Sequence, residues 1–313
     1  MYSGRSIMRP DVFFLLSLPR SGSTYVQNLM ANNILKLNTG PEPWVLPFVL
    51  QWSDDLTFSH AGTLSSKMGV EQYSVDINSL SMEVICRIYN ELNNESSGTV
   101  FLDKTPRNLL YWDFIKSNYQ LNKSLVLIRN PYDIVWSYYS TFRGGELDFS
   151  DGLVDFNRGA SNLLKAIDDG ATYVRYEDVK KDPKCLFNIL KCLNLNVVCD
   201  DDINTAKINE KLLTGVMGDP KFRGGDKSQK KMSFIAFLFC FFIVKKTALR
   251  KIYTDFYSDD LKLIQLYKEN QYRIKGFGFI DLFKIPVLGL TGLLNIKIIF
   301  KKYKNKALFD WIR

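Results

Sequence analysis

The sequence is poor in the residues from which metal sites and hydrolytic triads are built. It has a single histidine, His60, and five cysteines, Cys86, Cys185, Cys192, Cys199 and Cys240, with no C-x-x-C pair among them. One histidine excludes a metal centre built on two or more, and it leaves Ser-His-Asp chemistry a single, poorly placed candidate. An odd number of dispersed cysteines indicates neither a disulfide scaffold nor a zinc site and fits a reducing cytoplasm. Long apolar runs are also missing. The longest, Phe234–Val244, has 11 residues, whereas a membrane-spanning helix needs about 20. Near the start, the apolar stretch Val12–Leu16 ends at Ser17 and Pro19, too short for a secretory leader, so none is expected. With only 10 prolines and 19 glycines in 313 residues, neither a collagenous nor a low-complexity chain is possible.

What remains is ordinary globular usage, with 46% hydrophobic and 24% charged residues, in a length that suits one large domain or two small ones. The formal charge of +8 is unevenly spread. Residues 220–313 carry 20 Lys and Arg against 7 Asp and Glu, so residues 1–219 are mildly acidic. The basic late segment suits contact with an anionic surface, although solvated lysines are the preferred account. The run Phe234–Val244, with lysine pairs at 230–231 and 245–246, reads as a helix that is either buried or seated at a membrane surface.

Short β-branched and aromatic runs alternate with helical patterns, the signature of a parallel sheet with crossover helices. Val12–Ser17 reads as a first buried strand and Gly22–Asn32 as the helix after it. Val100–Asp103, Leu125–Ile128 and Ala171–Arg175 are the next strand candidates. Asn130-Pro131 signals a helix start that Ile134–Tyr139 continues, because proline suits the first helical turn. The strand-helix rhythm is lost after residue 220. The fold class is therefore α/β, a three-layer αβα arrangement around a central parallel sheet. Residues 1–219 form its core, and 220–313 form a basic, aromatic lobe of the same domain.

Between the first strand and its helix lies Ser17-Leu18-Pro19-Arg20-Ser21-Gly22-Ser23-Thr24. Backbone N–H groups at a helix start have no helical partner and, with the helix dipole, favour an anion. Ser23 and Thr24 add hydroxyls and Arg20 a permanently charged planar fork. The pattern is not a Walker A loop, since only Gly22 is present and no lysine follows it. A second strand end repeats the arrangement in Arg129-Asn130-Pro131-Tyr132-Asp133, with Ser137 eight residues after the arginine.

These two segments, with Asp103-Lys104-Thr105-Pro106 and Val174-Arg175-Tyr176-Glu177-Asp178, closely resemble the sulfotransferase family, which uses 3′-phosphoadenosine 5′-phosphosulfate (PAPS) as co-substrate and needs no metal. The resemblance covers about Val12 to Asp182. It implies that Pro19–Thr24 holds the 5′-phosphosulfate, with Arg20 near the bridging region and Ser21, Gly22, Ser23 and Thr24 lining the loop. By the same resemblance, Arg129 and Ser137 hold the 3′-phosphate, Tyr176 lies near the adenine, and Lys104 meets the transferring sulfuryl group. Arg223, before Gly224-Gly225, is similar to a late basic loop that closes over the 3′-phosphate, although its surroundings do not match.

Transfer to a hydroxyl also requires a base. His60 lies outside any motif of the histidine-using members. Glu42, in Gly40-Pro41-Glu42-Pro43-Trp44, resembles the acidic residue of the carbohydrate and tyrosylprotein branch, and flanking prolines would hold its carboxylate in one direction. Trp44, Trp52 and Tyr73 are candidates for an acceptor pocket, whereas Glu177 and Asp178 read as turn or capping groups. The expected activity is sulfuryl transfer to a hydroxyl acceptor, a carbohydrate or glycolipid for preference, in the cytoplasm and with possible contact at a membrane surface. Nucleic acid is not an expected partner. An ATP-dependent small-molecule kinase and a non-catalytic membrane-surface protein on a degenerate version of the fold are the alternatives.

Overall fold

Val12–Ser17 forms β1 with every residue buried, the behaviour of a strand covered on both faces. The structure is a computed structural model and describes residues 9–50, 76–93, 99–142, 150–198 and 234–257. After β1 come α1 (Ser23–Asn33), β2 (Leu37–Asn38), α2 (Val45–Leu50), α3 (Ile77–Leu92) and β3 (Val100–Asp103). A 3₁₀ segment, Pro106–Tyr111, leads into α4 (Trp112–Asn118), β4 (Ser124–Ile128) and α5 (Pro131–Phe142). Then follow α6 (Ser150–Val154), a π-helical turn at Asp155–Gly159, α7 (Ala160–Asp168), β5 (Thr172–Arg175), α8 (Tyr176–Lys181) and α9 (Lys184–Cys192). The last described helices are α10 (Phe234–Lys246) and α11 (Leu249–Phe256).

The five strands make one sheet in the order β2-β3-β1-β4-β5, and all four pairings are parallel. Alternation along the strands divides the core in two. Phe14, Leu16, Val126 and Ile128 face a cluster shared with α2, α3, α5, α7, α10 and α11. Phe13, Leu15, Leu125 and Leu127 face the other side, against α1, α8 and α9. This is the expected αβα sandwich. The strands read at Val12–Ser17 and Val100–Asp103 are observed with those bounds, and the others differ by one residue. The edge strand β2 is only two residues long, too short for any alternation to reveal it.

The apolar run forms α10, which packs on α5: Phe237, Cys240, Phe241, Ile243 and Val244 are buried while Phe242 is exposed. The Tyr132 and Phe237 rings meet at 5.4 Å between centroids. Of the choice left open by the sequence, core packing holds for these five side chains. Among the described residues, no helix is long and apolar enough to cross a membrane.

The strand order places a switch point beside β1. The chain leaves β1 toward the β2–β3 side and leaves β4 toward β5, so the two following loops diverge and open a crevice at the carboxyl ends of the strands, where ligands of open α/β sheets bind. Ser17 stands level with Leu127 in the β1–β4 register. The loops carrying Arg20 and Arg129 therefore rise side by side.

Candidate active site

The turn after β1 is held in a shape most residues avoid. Arg20 has φ of 68° and Gly22 φ of 85°, both in the left-handed region that costs a non-glycine residue about 1–2 kcal/mol. Ser21 N–H donates to the Leu18 carbonyl at 3.2 Å. The first helical bonds run from Tyr25 and Val26 N–H to the Gly22 carbonyl, so the Ser23 and Thr24 N–H groups precede them at the positive end of α1. The Tyr176 ring lies against Gly22, and a Cβ there would run into it.

Arg129 joins this turn to the second strand end. One guanidinium nitrogen, Nη1, donates to the Arg20 carbonyl at 2.9 Å, and the guanidinium carbon lies 4.7 Å from the Tyr176 ring centroid. Arg20 Nε in turn donates to Ser137 Oγ at 3.2 Å. The sequence pairs Ser137 with Arg129; in the structure Arg20 stands between them. Tyr25 meets Tyr176 edge-on at 6.0 Å. Thus Arg20, Gly22, Arg129, Ser137 and Tyr176, drawn from three separate motifs, form one cluster. Ser21 Oγ and Arg129 Nε are buried in it with no hydrogen-bond partner. Orphaned polar atoms of this kind are rare in folded proteins and fit a bound anion. Asn130 caps α5 through its side-chain oxygen, which accepts from Tyr132 N–H at 2.9 Å.

Glu42 and Lys104 come together at the end of the neighbouring strand. Lys104 Nζ donates to Glu42 Oε1 at 2.7 Å, and the side chains are only 3% and 12% exposed. The segment carrying Glu42 is fixed from both sides. Gln27 Nε2, on α1, donates to Thr39 Oγ1 and to the Gly40 carbonyl, each at 2.8 Å. Thr39 Oγ1 donates to the Leu102 carbonyl at 3.0 Å, and Trp44 N–H to Thr105 Oγ1 at 3.3 Å. Trp44 itself adopts φ of 54°, with the Arg107 guanidinium 5.8 Å from its ring.

Under Lys104 lies Asp103, fully buried. Tyr89 Oη donates to its Oδ2 at 2.6 Å. Burial raises the Asp103 carboxyl above the usual range, opposed by the hydrogen bond from Tyr89. Among the described residues no group of three or more His, Cys, Asp or Glu side chains could hold a metal ion. Arg223, His60, Trp52 and Tyr73 lie outside the described residues.

Sequence reasoning missed Glu177. Its Oε1 accepts from Asn130 N–H at 2.9 Å and its Oε2 from Tyr257 Oη at 2.7 Å. An acid in the first turn of a short helix carries only a capping signal, and nothing local marks it as a bridge. Asp178 meets the local expectation more closely, pairing with Arg175 three residues earlier through two contacts of 2.8 Å.

The sulfotransferase family model matches residues 10–196, which include every segment of both clusters. A nodulation protein, NoeE, of Sinorhizobium fredii is 29% identical over 136 residues, 42% of this chain and 32% of NoeE; the chain therefore spans about a third of that relative's length. Similar solved structures include the sulfotransferase domain from the curacin biosynthetic pathway, with TM-score 0.48 and 18% identity over 86% of this chain and 99% of that one. A sulfotransferase domain from a Synechococcus olefin synthase gives TM-score 0.46 and 24% identity over 71% and 86%.

Proposed function

This chain belongs to the sulfotransferase family, and we propose that it transfers a sulfuryl group from PAPS to a hydroxyl acceptor, with a carbohydrate or glycolipid as the acceptor class. The observation that carries the reading is the meeting of two anion-ready strand ends at one switch point, bound to each other through Arg129 and the Arg20 carbonyl. The buried, partnerless Ser21 Oγ and Arg129 Nε fit a nucleotide with phosphates at two positions, and a lone phosphate would use only one of the two ends.

In this reading Ser21, Gly22, Ser23 and Thr24 hold the 5′-phosphosulfate through loop N–H groups and hydroxyls. Arg129 and Ser137 hold the 3′-phosphate, and Tyr176 supports the adenine side. When bound, PAPS supplies a sulfuryl group already activated by its phosphate leaving group. The chain's own work is to position and to offset charge, as in phosphoryl transfer. Arg20 and Lys104 face the sulfuryl oxygens, while Glu42 accepts the acceptor hydroxyl proton at Oε1 or Oε2. The ion pair with Lys104 aims the Glu42 carboxylate. The preference for a carbohydrate rests on Glu42 and Lys104 occurring together.

Incubation with labelled PAPS and a panel of hydroxyl acceptors tests the reading. It should yield labelled product and adenosine 3′,5′-bisphosphate in equal amounts. No transfer to any hydroxyl, together with equal affinity for adenosine 3′,5′-bisphosphate and AMP, would sink it.

A further inference from the structure

Outside the two clusters, a polar bridge joins the end of α11 to the turn after β4. Glu177 spans it, one carboxylate oxygen on Asn130 N–H at 2.9 Å and the other on Tyr257 Oη at 2.7 Å. Arg175 makes a second tie, Nη1 donating to the Phe256 carbonyl at 3.2 Å, while Asp178 fixes its other face. The Tyr173 and Phe256 rings add an apolar contact at 5.4 Å. Burial and the neighbouring Glu177 carboxylate push the Tyr257 hydroxyl upward, so it remains a donor.

The position of this bridge matters more than its number of bonds. Asn130 follows Arg129, so fixing the Asn130 N–H fixes the peptide from which the Arg129 side chain springs. Arg129 reaches Arg20 at 2.9 Å, and an error of about 1 Å at such a contact is costly in a preorganised site. Tyr257 lies beyond residue 196, where the family match ends.

We propose that Glu177 is a positioning residue that makes the 3′-phosphate site depend on Tyr257, so that selectivity for a 3′-phosphorylated nucleotide is set in part by a helix outside the family-matched segment. The inference rests on Arg129 as the 3′-phosphate ligand.

The test is the ratio of dissociation constants for AMP and adenosine 3′,5′-bisphosphate, measured by calorimetry on the full chain. Tyr257→Phe should weaken the bisphosphate about 3- to 10-fold and leave AMP unchanged; the KM for PAPS rises with little change in kcat. Glu177→Ala should lower the ratio at least as far. Glu177→Gln should largely restore it, because its amide oxygen still accepts from Asn130 and its amide nitrogen can donate to Tyr257 Oη. A merely structural bridge would lower the thermal midpoint and weaken both nucleotides alike, and that result, or an unchanged ratio in both Tyr257→Phe and Glu177→Ala, overturns the proposal. A wild-type chain that binds the two nucleotides equally would instead overturn the nucleotide reading, and this inference with it.

Discussion

Lys104 Nζ and Glu42 Oε1 lie 2.7 Å apart on segments 62 residues distant in sequence, and both side chains are largely shielded from water. A buried pair of this kind adds little net stability, but removing one partner strands the other charge, at a cost of about 3–5 kcal/mol. Lys104→Met should therefore destabilise the protein by about 3 kcal/mol in denaturant unfolding. Combining it with Glu42→Leu should recover most of that loss without restoring activity. A single Lys104→Met variant as stable as the wild type would mean the pair is solvated.

Glu42→Gln retains the side-chain shape and a hydrogen-bond acceptor but removes the proton acceptor. Turnover should fall about 10²- to 10⁴-fold, the range associated with a general base, while donor affinity stays unchanged. Single-turnover rates with saturating acceptor are the measurement. Normal turnover in this variant assigns the base to another group.

Arg129→Ala removes the guanidinium that meets both Arg20 and Tyr176. Charge-assisted hydrogen bonds contribute about 1.5–3 kcal/mol. Affinity for adenosine 3′,5′-bisphosphate should accordingly drop at least about 10-fold while affinity for AMP barely changes. Equal losses for the two nucleotides would count against a 3′-phosphate role.

Gly22→Ala combines two faults, a left-handed φ of 85° and contact with the Tyr176 ring. The backbone term alone is about 1–2 kcal/mol. The variant should unfold at lower temperature and bind nucleotide more weakly, because Tyr176 must move from beneath Arg129. Calorimetric scanning with and without adenosine 3′,5′-bisphosphate reads both effects.

Asp103 gives a pH signature of definite sign. Its carboxyl is raised by burial in the folded state, so the folded chain holds this proton to higher pH than the unfolded chain does. That contribution is present in full below the unfolded carboxyl range, about pH 4, and is lost as pH rises through the folded value. Asp103→Asn keeps an acceptor for Tyr89 and removes the titration. The variant's thermal midpoint should rise relative to wild type as pH increases above about 4, and a difference that stays constant with pH would contradict the burial effect.

The strands and the helix starts were legible locally because their causes are local. Val12–Ser17 is a continuous apolar run, covered on both faces as such runs must be. Asn130-Pro131 starts a helix through a side-chain cap and a preset φ, and both act within two residues. The phosphate loop was likewise readable from a strand, small residues and an arginine. Glu177 was not. Its partners, Asn130 and Tyr257, lie 47 and 80 residues away, and a carboxylate in the first turn of a helix looks the same whether or not it bridges.

The amino-acid order alone determined which segments become strands and helices and which strand ends carry cations, since period, capping and turn chemistry act over a few residues. Only the tertiary structure decided which of those ends share a crevice. Strand order β2-β3-β1-β4-β5 sets Arg20 beside Arg129 and closes Lys104 onto Glu42. Contacts across more than 60 residues depend on how the sheet is threaded, and no local pattern encodes that threading.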